Sequence, residues 1–324
     1  MRYLIIGAGA VGGTIGVRLA EAGHDVTLVA RGAHLDAIRA HGLTLATPED
    51  ERQVRLPAVA GPGEVELTPE TVLVLTVKSQ DTEAALGQWA DAPVTGGGTA
   101  AERLPLLTAQ NGVANEPAAL RRFDRVYGVC LWLPATFLEP GVIAAEGHPH
   151  SGMLQLGRYP GGSDDTVRRI ADELAKSGFV TRVRDDVMRW KYGKLLANLG
   201  NGLDALFGRD GDPGLAERLR AEGVAALAGA GIAHTSREEE AADRADNVRA
   251  HPVAGRTRAG SSTWQSLARG TGSTETDHLN GEIVLLGRLH GVPTPVNAAV
   301  QRAVHRAVRE HIPAGAFPPD QLLP

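Results

Sequence analysis

A glycine-rich hexapeptide near the N-terminus constrains the fold of this chain more than any other feature. The run Gly7-Ala8-Gly9-Ala10-Val11-Gly12 has G-x-G-x-x-G spacing and stands between a short apolar segment and a helical pattern. In that position the first glycine allows a tight turn, the second lets the backbone approach a pyrophosphate, and the third lets helix and strand pack closely. A helix N-terminus adds free N–H groups and a positive dipole. The run therefore predicts a dinucleotide-binding site.

Alternating strands and helices continue beyond this run. We predict strands at residues 4–6, 25–30, 71–77, 104–109, 126–133, 141–145, 153–157 and 179–183, and helices at 11–22, 34–41, 82–89 and 166–177. Residues 92–102 have no periodicity and contain three consecutive glycines, which indicates a loop. The alternation is typical of the α/β class, and it predicts a Rossmann doubly wound parallel sheet in an NADP-binding domain over residues 1–184.

Helical periodicity dominates after residue 184. We predict helices at residues 187–201, 215–230, 237–249, 261–267, 275–289 and 296–311. At 324 residues the chain is long enough for two domains. Residues 185–324 are therefore expected to form an all-α helical domain for substrate binding or dimerisation, with apolar helix faces suited to a homodimer.

The composition favours a small molecule as the partner. Hydrophobic residues make up 43% and charged residues 22%, and 33 Lys+Arg against 38 Asp+Glu give a net charge of −5. Because both signs are scattered, we expect neither nucleic acid nor a membrane as a partner. The first apolar run is too short for a signal peptide, which predicts a cytoplasmic protein. The 11 histidines show no metal-site spacing, so no metal is expected.

The residue after the second predicted strand indicates which dinucleotide is bound. NAD-binding Rossmann domains carry an acidic residue there, which holds the ribose 2′-hydroxyl. In this chain the position is taken by Arg31, whose guanidinium suits a 2′-phosphate. We therefore expect NADPH rather than NADH. The plainer alternative is a solvated arginine at the end of a strand.

Polar residues follow three predicted elements. Lys78 comes directly after a buried strand and Asn111-Gly112 after the next strand, where ligands collect in sheets of this kind. Lys194 and Asn198 lie four residues apart near the start of the helical region, and this spacing places them on one helix face.

In this order the features resemble the ketopantoate reductase (2-dehydropantoate 2-reductase) family over nearly the whole chain. The matching positions are the glycine run, Arg31, Lys78, Asn111-Gly112, Lys194 with Asn198, Ser261-Ser262, residues 274–281 and residues 290–297. The resemblance implies NADPH-dependent reduction of a 2-oxo acid to the 2-hydroxy acid. Ketopantoate to pantoate, a step of pantothenate biosynthesis, is the family reaction.

The resemblance also implies roles for individual residues. The catalytic proton donor falls on Lys194, and the spacing to the following asparagine favours it over Lys191. Glu275 falls on the family glutamate beside the cofactor, which helps to hold the lysine charged and is its catalytic partner. Lys78 and Asn111 fall on cofactor-binding positions.

Substrate-binding positions of the family fall on Asn111, Asn198 and Ser262. One extra residue separates Ser262 from Glu275, so Ser261 is an alternative to Ser262. The sequence does not decide between the two serines.

Two departures from the family pattern bear on the substrate. Gly202 stands where a second family asparagine usually follows, and Asn201 serves as a substrate residue only if the helix is kinked there. A further family asparagine falls at residues 210–212, where no asparagine exists. One alternative is therefore an NADP-dependent reductase of a different carbonyl or imine in specialised metabolism. Another is a non-catalytic NADP(H)-binding sensor, against which an intact Lys194 argues.

Overall fold

The structure, a computed structural model, describes residues 1–208, 212–253, 260–270 and 272–322. The chain divides into two compact units. The first comprises Met1–Asn111, Asn115–Met188 and the described residues of Glu238–Arg258, and the second comprises Gly112–Ala114, Arg189–Arg237 and the described residues of Ala259–Pro324. The boundary expected at residue 184 assigned residues 238–258 to the second domain, whereas the structure assigns the described part of that segment to the first unit.

Strands are confined to the first unit in the described part of the chain. In chain order they are β1 (Arg2–Ile6), β2 (Asp25–Val29), β3 (Leu43–Ala46), β4 (Glu51–Val54), β5 (Ala58–Val59), β6 (Thr71–Leu75), β7 (Leu106–Thr108), β8 (Val126–Trp132), β9 (Ala135–Glu139), β10 (Val142–Ala145), β11 (Gly147–Pro149), β12 (Gly152–Arg158), β13 (Phe179–Val183) and β14 (Val248–Ala250).

Helices occur in both units. In chain order they are α1 (Ala10–Glu21), α2 (Gly32–His41), α3 (Thr82–Ala90), α4 (Ala100–Arg103), α5 (Asn115–Leu120), α6 (Asp165–Lys176), α7 (Val187–Asn198), α8 (Asn201–Phe207), α9 (Pro213–Gly229), α10 (Arg237–Arg244), α11 (Ser262–Ala268), α12 (Asn280–His290) and α13 (Pro295–Arg309). Within the described residues, no helix is both long enough and apolar enough to cross a membrane.

An eight-stranded sheet of described residues forms the centre of the first unit. Its order is β13-β12-β8-β7-β6-β1-β2-β5, and its pairs are parallel except for β12 with β8. Every residue of β6 is buried, as expected for a nearly continuous apolar run in a parallel sheet that is covered on both faces. The predicted α/β fold class with a Rossmann-type sheet is confirmed.

The two faces of this sheet have separate apolar cores. Because side chains alternate along a strand, Tyr3 and Ile5 of β1 join one core and Leu4 and Ile6 join the other. Helices α1 and α6 cover the first face, and helices α3, α4 and α5 cover the second. The strand ends of β1, β2, β6 and β7 therefore reach one edge of a rigid layer.

A second sheet of order β4-β3-β10-β9 packs against α1. Its apolar side chains Leu43 and Ile143 contact the helix at Gly13, where an added Cβ would lie 2.6 Å from Ile143 Cδ1. Only β10 of this sheet was predicted from the sequence. The residues of β4 are mostly exposed and polar, so they lack the apolar alternation on which the prediction depends.

The helix predicted at residues 237–249 is wrong in its second half. Helix α10 ends at Arg244, Ala245 has a φ of 41°, and β14 then pairs antiparallel with β11. Asp243 accepts a hydrogen bond from Gln155 at 2.5 Å and forms an ion pair with Arg184 at 2.7 Å. These contacts attach the segment to the first unit.

Helices build the described part of the second unit. Helix α8 packs on α11 and α13, and helix α12 packs on α9 and α13. The predicted helix at residues 187–201 is interrupted, because α7 ends at Asn198 and α8 begins at Asn201. This break changes the direction of the side chains that follow it.

A polar cluster around Glu173 of α6 fastens the start of β1. The carboxylate accepts a hydrogen bond from Tyr3 at 2.8 Å and from Arg169 at 3.0 Å, and it lies 3.5 Å from both the amino group of Met1 and His24 Nδ1. Burial alone raises the pKa of Glu173, but the two hydrogen bonds and the neighbouring positive charges outweigh it and lower the pKa. The ionised form is therefore the one that the fold stabilises.

We expect Glu173→Gln to lower the free energy of unfolding at pH 7 by about 1–2 kcal/mol, since it removes a charge-assisted hydrogen-bond acceptor. Because the folded-state pKa is depressed, the contribution is present above the unfolded pKa and is lost as pH falls through the folded value. Urea unfolding of both proteins over a pH series measures the difference. The control is Asp172→Asn at the adjacent exposed position of α6. An equal loss at acid and neutral pH would contradict the assignment.

Candidate active site

The loop between β1 and α1 has the geometry of a phosphate cradle. Gly7 has a φ of 109°, and a Cβ added at Gly12 would lie 2.1 Å from Gly7 O and 2.4 Å from Thr76 Oγ1. Both positions therefore require glycine. A Cβ added at Gly9 would meet no atom within 4 Å. The fold thus leaves open space beside Gly9, as the second glycine of a dinucleotide fingerprint requires.

Several backbone N–H groups at the start of α1 precede the first hydrogen bond of the helix. The N–H groups of Gly7 and Ala8 both donate to Val29 O, at 3.2 and 2.9 Å. The first bond of the helix runs from the Gly13 N–H to Gly9 O at 2.7 Å. The N–H groups of residues 9–12 precede that bond, so they can donate to an anion at the helix N-terminus. These residues fit a pyrophosphate.

Arg31 follows β2 and reaches the loop that follows β6. Its guanidinium forms an ion pair with Asp81 Oδ2 at 3.2 Å, while its side chain remains 86% exposed. Asp81 ends a short 3-10 turn that begins immediately after the half-buried Lys78. The structure therefore brings Arg31 close to the Lys78 loop, and the exposed guanidinium has room to receive a phosphate.

Buried hydrogen bonds join the loop after β6 to the loop after β7. Asn115 donates through Nδ2 to Asn111 O at 3.0 Å and to Ser79 Oγ at 3.2 Å, and it accepts from Thr82 Oγ1 at 2.8 Å. Gln110 donates to Val77 O at 2.7 Å. These bonds position the backbone of the half-buried Asn111. Sequence reasoning missed Asn115, although it opens α5 four residues after Asn111.

Helix α7 carries the two candidate lysines and an asparagine. Lys194 is half-buried, Asn198 is 7% exposed and Lys191 is 3% exposed. Because residues four apart on a helix share a face, Lys194 and Asn198 project from the same side of α7. A cation and an amide on one face match the chemistry of polarising and holding a carbonyl compound.

The break after α7 determines what residues 201 and 202 can do. Asn201 begins α8 and is half-buried, so the interruption that its predicted substrate role requires is present. A Cβ at Gly202 would lie 2.5 Å from Val300 Cγ1 and 3.2 Å from Asn280 Oδ1. Position 202 therefore faces the packed interior of the second unit and has no room for an asparagine.

The serine pair at the start of α11 divides into two roles. Ser261 caps the helix: its hydroxyl accepts from the Trp264 N–H at 3.2 Å and donates to Asn201 O at 3.2 Å, and its N–H donates to Asp204 Oδ2 at 2.6 Å. Ser262 is half-buried, and its hydroxyl donates to no other residue that the structure describes. Ser262 is therefore the serine whose hydroxyl is better placed to receive a ligand.

Glu275 is 4% exposed and begins a 3-10 turn that leads into α12. The first helix residue, Asn280, donates to Leu199 O in the break between α7 and α8 at 3.1 Å and to Asn297 Oδ1 at 3.1 Å. Asn297 in turn donates to Glu222 Oε2 at 2.8 Å. This buried network holds the break in place.

The family asparagine expected at residues 210–212 has no counterpart in the sequence. Residues 210 and 211 lie outside the described residues, and Asp212 caps α9.

A Rossmann-type unit with a phosphate cradle, in one chain with a helical unit that carries a lysine and amides, defines a dinucleotide-dependent oxidoreductase. Residues 3–161 match the family model described as ketopantoate reductase PanE/ApbA, and residues 186–308 match its C-terminal model. The chain belongs to the ketopantoate reductase family.

Known proteins match along nearly the whole chain. A 2-dehydropantoate 2-reductase of Mesorhizobium japonicum is 31% identical over 96% of this chain and 98% of its own. The crystal structure of a PanE/ApbA family ketopantoate reductase from Ralstonia eutropha is 29% identical, with a TM-score of 0.78 over 96% of this chain and 99% of that one. D-mandelate dehydrogenase with NADH and anilino(oxo)acetate, 22% identical with a TM-score of 0.79 over 96% and 99%, shares the fold.

We expect Gly9→Ala to leave the unfolding free energy within about 1 kcal/mol of wild type, because the new methyl group meets no protein atom. The methyl group fills the space beside the helix N-terminus, so the Kd for NADPH should rise at least about tenfold. Thermal unfolding and a fluorescence titration with NADPH measure the two effects. In contrast, Gly12→Ala should destabilise the fold by roughly 3 kcal/mol or more. Unchanged NADPH affinity in Gly9→Ala would exclude the cradle as the cofactor site.

Proposed function

We propose that this protein catalyses the NADPH-dependent reduction of ketopantoate to pantoate. The observation that carries the proposal is the full-length match to relatives named 2-dehydropantoate 2-reductase. The glycine cradle, the lysine-bearing helix and the buried glutamate are the parts that such a reaction needs. The expected reaction type is reduction of a 2-oxo acid to the 2-hydroxy acid.

Arg31 supports NADPH as the cofactor. Its guanidinium follows β2, where a 2′-phosphate is distinguished from a 2′-hydroxyl, and it is exposed enough to form two parallel hydrogen bonds with a phosphate. Lys78 supplies a second positive charge on the loop after β6. Gly7, Gly9 and Gly12 shape the cradle, and the N–H groups of residues 9–12 hold the pyrophosphate.

Lys194 is proposed as the proton donor. The reduced nicotinamide of a bound cofactor would supply a hydride to the carbonyl carbon of the substrate. The Lys194 ammonium polarises the carbonyl oxygen and gives it a proton as negative charge develops there. Glu275, a buried carboxylate, keeps the lysine charged. Lys191 is the rival donor on the same helix.

Amide and hydroxyl groups are proposed to orient the substrate. Asn198 shares a helix face with Lys194, and its amide holds the oxygens of the 2-oxo acid. The Ser262 hydroxyl is assigned to the substrate carboxylate, since the Ser261 hydroxyl is used in capping α11. Asn111 contacts the nicotinamide end of the cofactor and the substrate, and Asn201 adds a second amide after the helix break.

A different carbonyl or imine substrate is the second candidate. The observation that favours it is the packing at Gly202, which leaves no room for an amide at that position. A substrate smaller than ketopantoate, or one with fewer hydrogen-bonding groups, needs fewer contacts. A panel of 2-oxo acids assayed beside ketopantoate distinguishes the two candidates by their kcat/KM values.

A cytoplasmic location and a homodimer complete the proposal. Val224 of α9 and Leu285 and Leu289 of α12 are exposed apolar side chains on helices that pack together, and self-association would cover them. Light scattering on the purified protein gives the molecular mass. A mass of one chain, 34.0 kDa, at micromolar concentration would contradict the dimer.

We expect wild-type protein to oxidise NADPH when ketopantoate is added, and Lys194→Ala to lower kcat by roughly 10²–10⁴-fold with an unchanged Kd for NADPH. Absorbance at 340 nm follows the reaction. Lys191→Met is the matched comparison and should keep most of the activity if it stays folded. Loss of activity only in the Lys191 variant would move the proton donor to that residue.

We expect Arg31→Gln to raise the Kd for NADPH about 10–100-fold and to change the Kd for NADH less than about twofold, because it removes charge-assisted hydrogen bonds to a group that only NADPH carries. The control is Arg39→Gln on α2, where the arginine pairs with Glu64. Parallel titrations with both nucleotides give the ratio. An equal loss for NADPH and NADH would contradict the assignment of Arg31 to the 2′-phosphate.

A further inference from the structure

His34 links the loop between β1 and α1, called here the phosphate loop, to the turn between β9 and β10 of the second sheet. Its Nε2 lies 2.7 Å from Ala8 O, and the Gly141 N–H donates to its Nδ1 at 2.9 Å. The ring also packs edge-on against Phe137, with ring centroids 5.0 Å apart. His34 lies in the first turn of α2, three residues after Arg31. A single side chain thus joins three segments of the first unit.

The hydrogen bond from Gly141 determines which ring nitrogen carries the proton. A backbone N–H can only donate, so Nδ1 of His34 must present a lone pair. In the neutral ring the proton is then on Nε2, which donates to Ala8 O. Burial lowers the pKa of His34, although the bond to Ala8 opposes this, and the neutral form is favoured. The side chain is therefore a fixed donor to the phosphate loop.

A fixed Ala8 carbonyl also fixes the next N–H. The peptide bond between Ala8 and Gly9 is planar, so its C=O and N–H point in opposite directions. When His34 holds the carbonyl on one side, the Gly9 N–H points to the other side. Gly9 is the N-cap of α1 and borders the open space where no added Cβ meets an atom. Loss of the His34 bond would remove a hydrogen bond that fixes the orientation of this peptide plane.

We infer that His34 is a positioning residue for the pyrophosphate, acting through the Ala8–Gly9 peptide. This inference rests on the proposed function as a dinucleotide-dependent reductase. In this role His34 acts through the peptide and not through direct contact with the substrate or the cofactor. It orients a backbone donor, and its effect is therefore on cofactor binding and not on the chemical step.

The hydrogen bond from His34 to Ala8 O lies in the loop proposed to hold the pyrophosphate, whereas Arg31 is proposed to bind the 2′-phosphate. Both NADPH and NADH carry the pyrophosphate, whereas only NADPH carries the 2′-phosphate. Removing the His34 hydrogen bonds should lower the affinities for NADPH and for NADH by the same factor. Removing the Arg31 guanidinium should change the ratio of their affinities.

The test uses His34→Phe, which keeps an aromatic ring against Phe137 but has no ring nitrogen. We expect the Kd values for NADPH and for NADH each to rise about tenfold, the size of one or two lost hydrogen bonds, with kcat within about twofold and an unchanged KM for the 2-oxo acid. His34→Gln presents an N–H and an oxygen on one amide and should recover most of the affinity. The control is His41→Phe at the exposed end of α2.

Nitrogen-15 NMR of the wild-type imidazole ring provides a second measurement that does not depend on a variant folding. The Nε2–H tautomer of His34 is expected with and without NADPH, and the Nδ1–H tautomer would overturn the inference. Unchanged Kd values in a folded His34→Phe would overturn it as well. If wild-type protein binds neither nucleotide, the proposed function fails and the inference with it, whereas wild-type binding with an insensitive His34 variant refutes the inference alone.

Discussion

The close approach of α1 to the ends of β1 and β6 determines the geometry of the first unit. The Thr76 hydroxyl, just after β6, donates to Gly7 O at 2.7 Å. Gly12 of α1 lies so close to both of these oxygen atoms that it has no room for a Cβ. This contact fixes the N-terminus of α1 at the edge where the parallel strands end. Because β1 pairs with β2 and β6, and β6 pairs with β7, the residues that follow those strands arrive at the same edge. Arg31, Lys78 and Asn111 all owe their positions to this arrangement.

The parts of the fold that the sequence predicted are those with strong periodicity or a continuous apolar run. β1, β2, β6 and the helix α6 belong to this group, because burial on one or both faces leaves a pattern in the sequence. Most of the second sheet does not, since β4 is exposed and β3 has only four residues, and β10 is the one strand of this sheet that was predicted. Helix α4 begins inside the predicted loop at residues 92–102, and its start could have been recognised in the sequence. Thr99 and Glu102 form a capping box, a reciprocal pair of hydrogen bonds.

The residues of the candidate site also fall into two groups, those that the sequence alone identifies and those that it does not. The sequence alone identifies the glycine run, Arg31 and Lys78 as candidates, because each follows a predicted strand. It does not identify His34 and Asn115, since their partners are set by the fold: Gly141 is 107 residues from His34, and Ser79 is 36 residues from Asn115. A single sequence gives no indication of such pairs. Residues that touch a ligand through a motif are therefore easier to predict than residues that orient a loop.

The packing around Gly202 leaves no room for the asparagine that the family pattern has at this position. An added Cβ would approach Val300 of α13 and the Oδ1 of Asn280, and Asn280 itself holds the break between α7 and α8 by donating to Leu199 O. An asparagine at position 202 would therefore require changes in α13 and in the buried network as well. The same break starts a new helix at Asn201, which gives the chain an amide one residue earlier. In this protein interior packing thus excludes an amide at position 202, and the helix break places one at position 201.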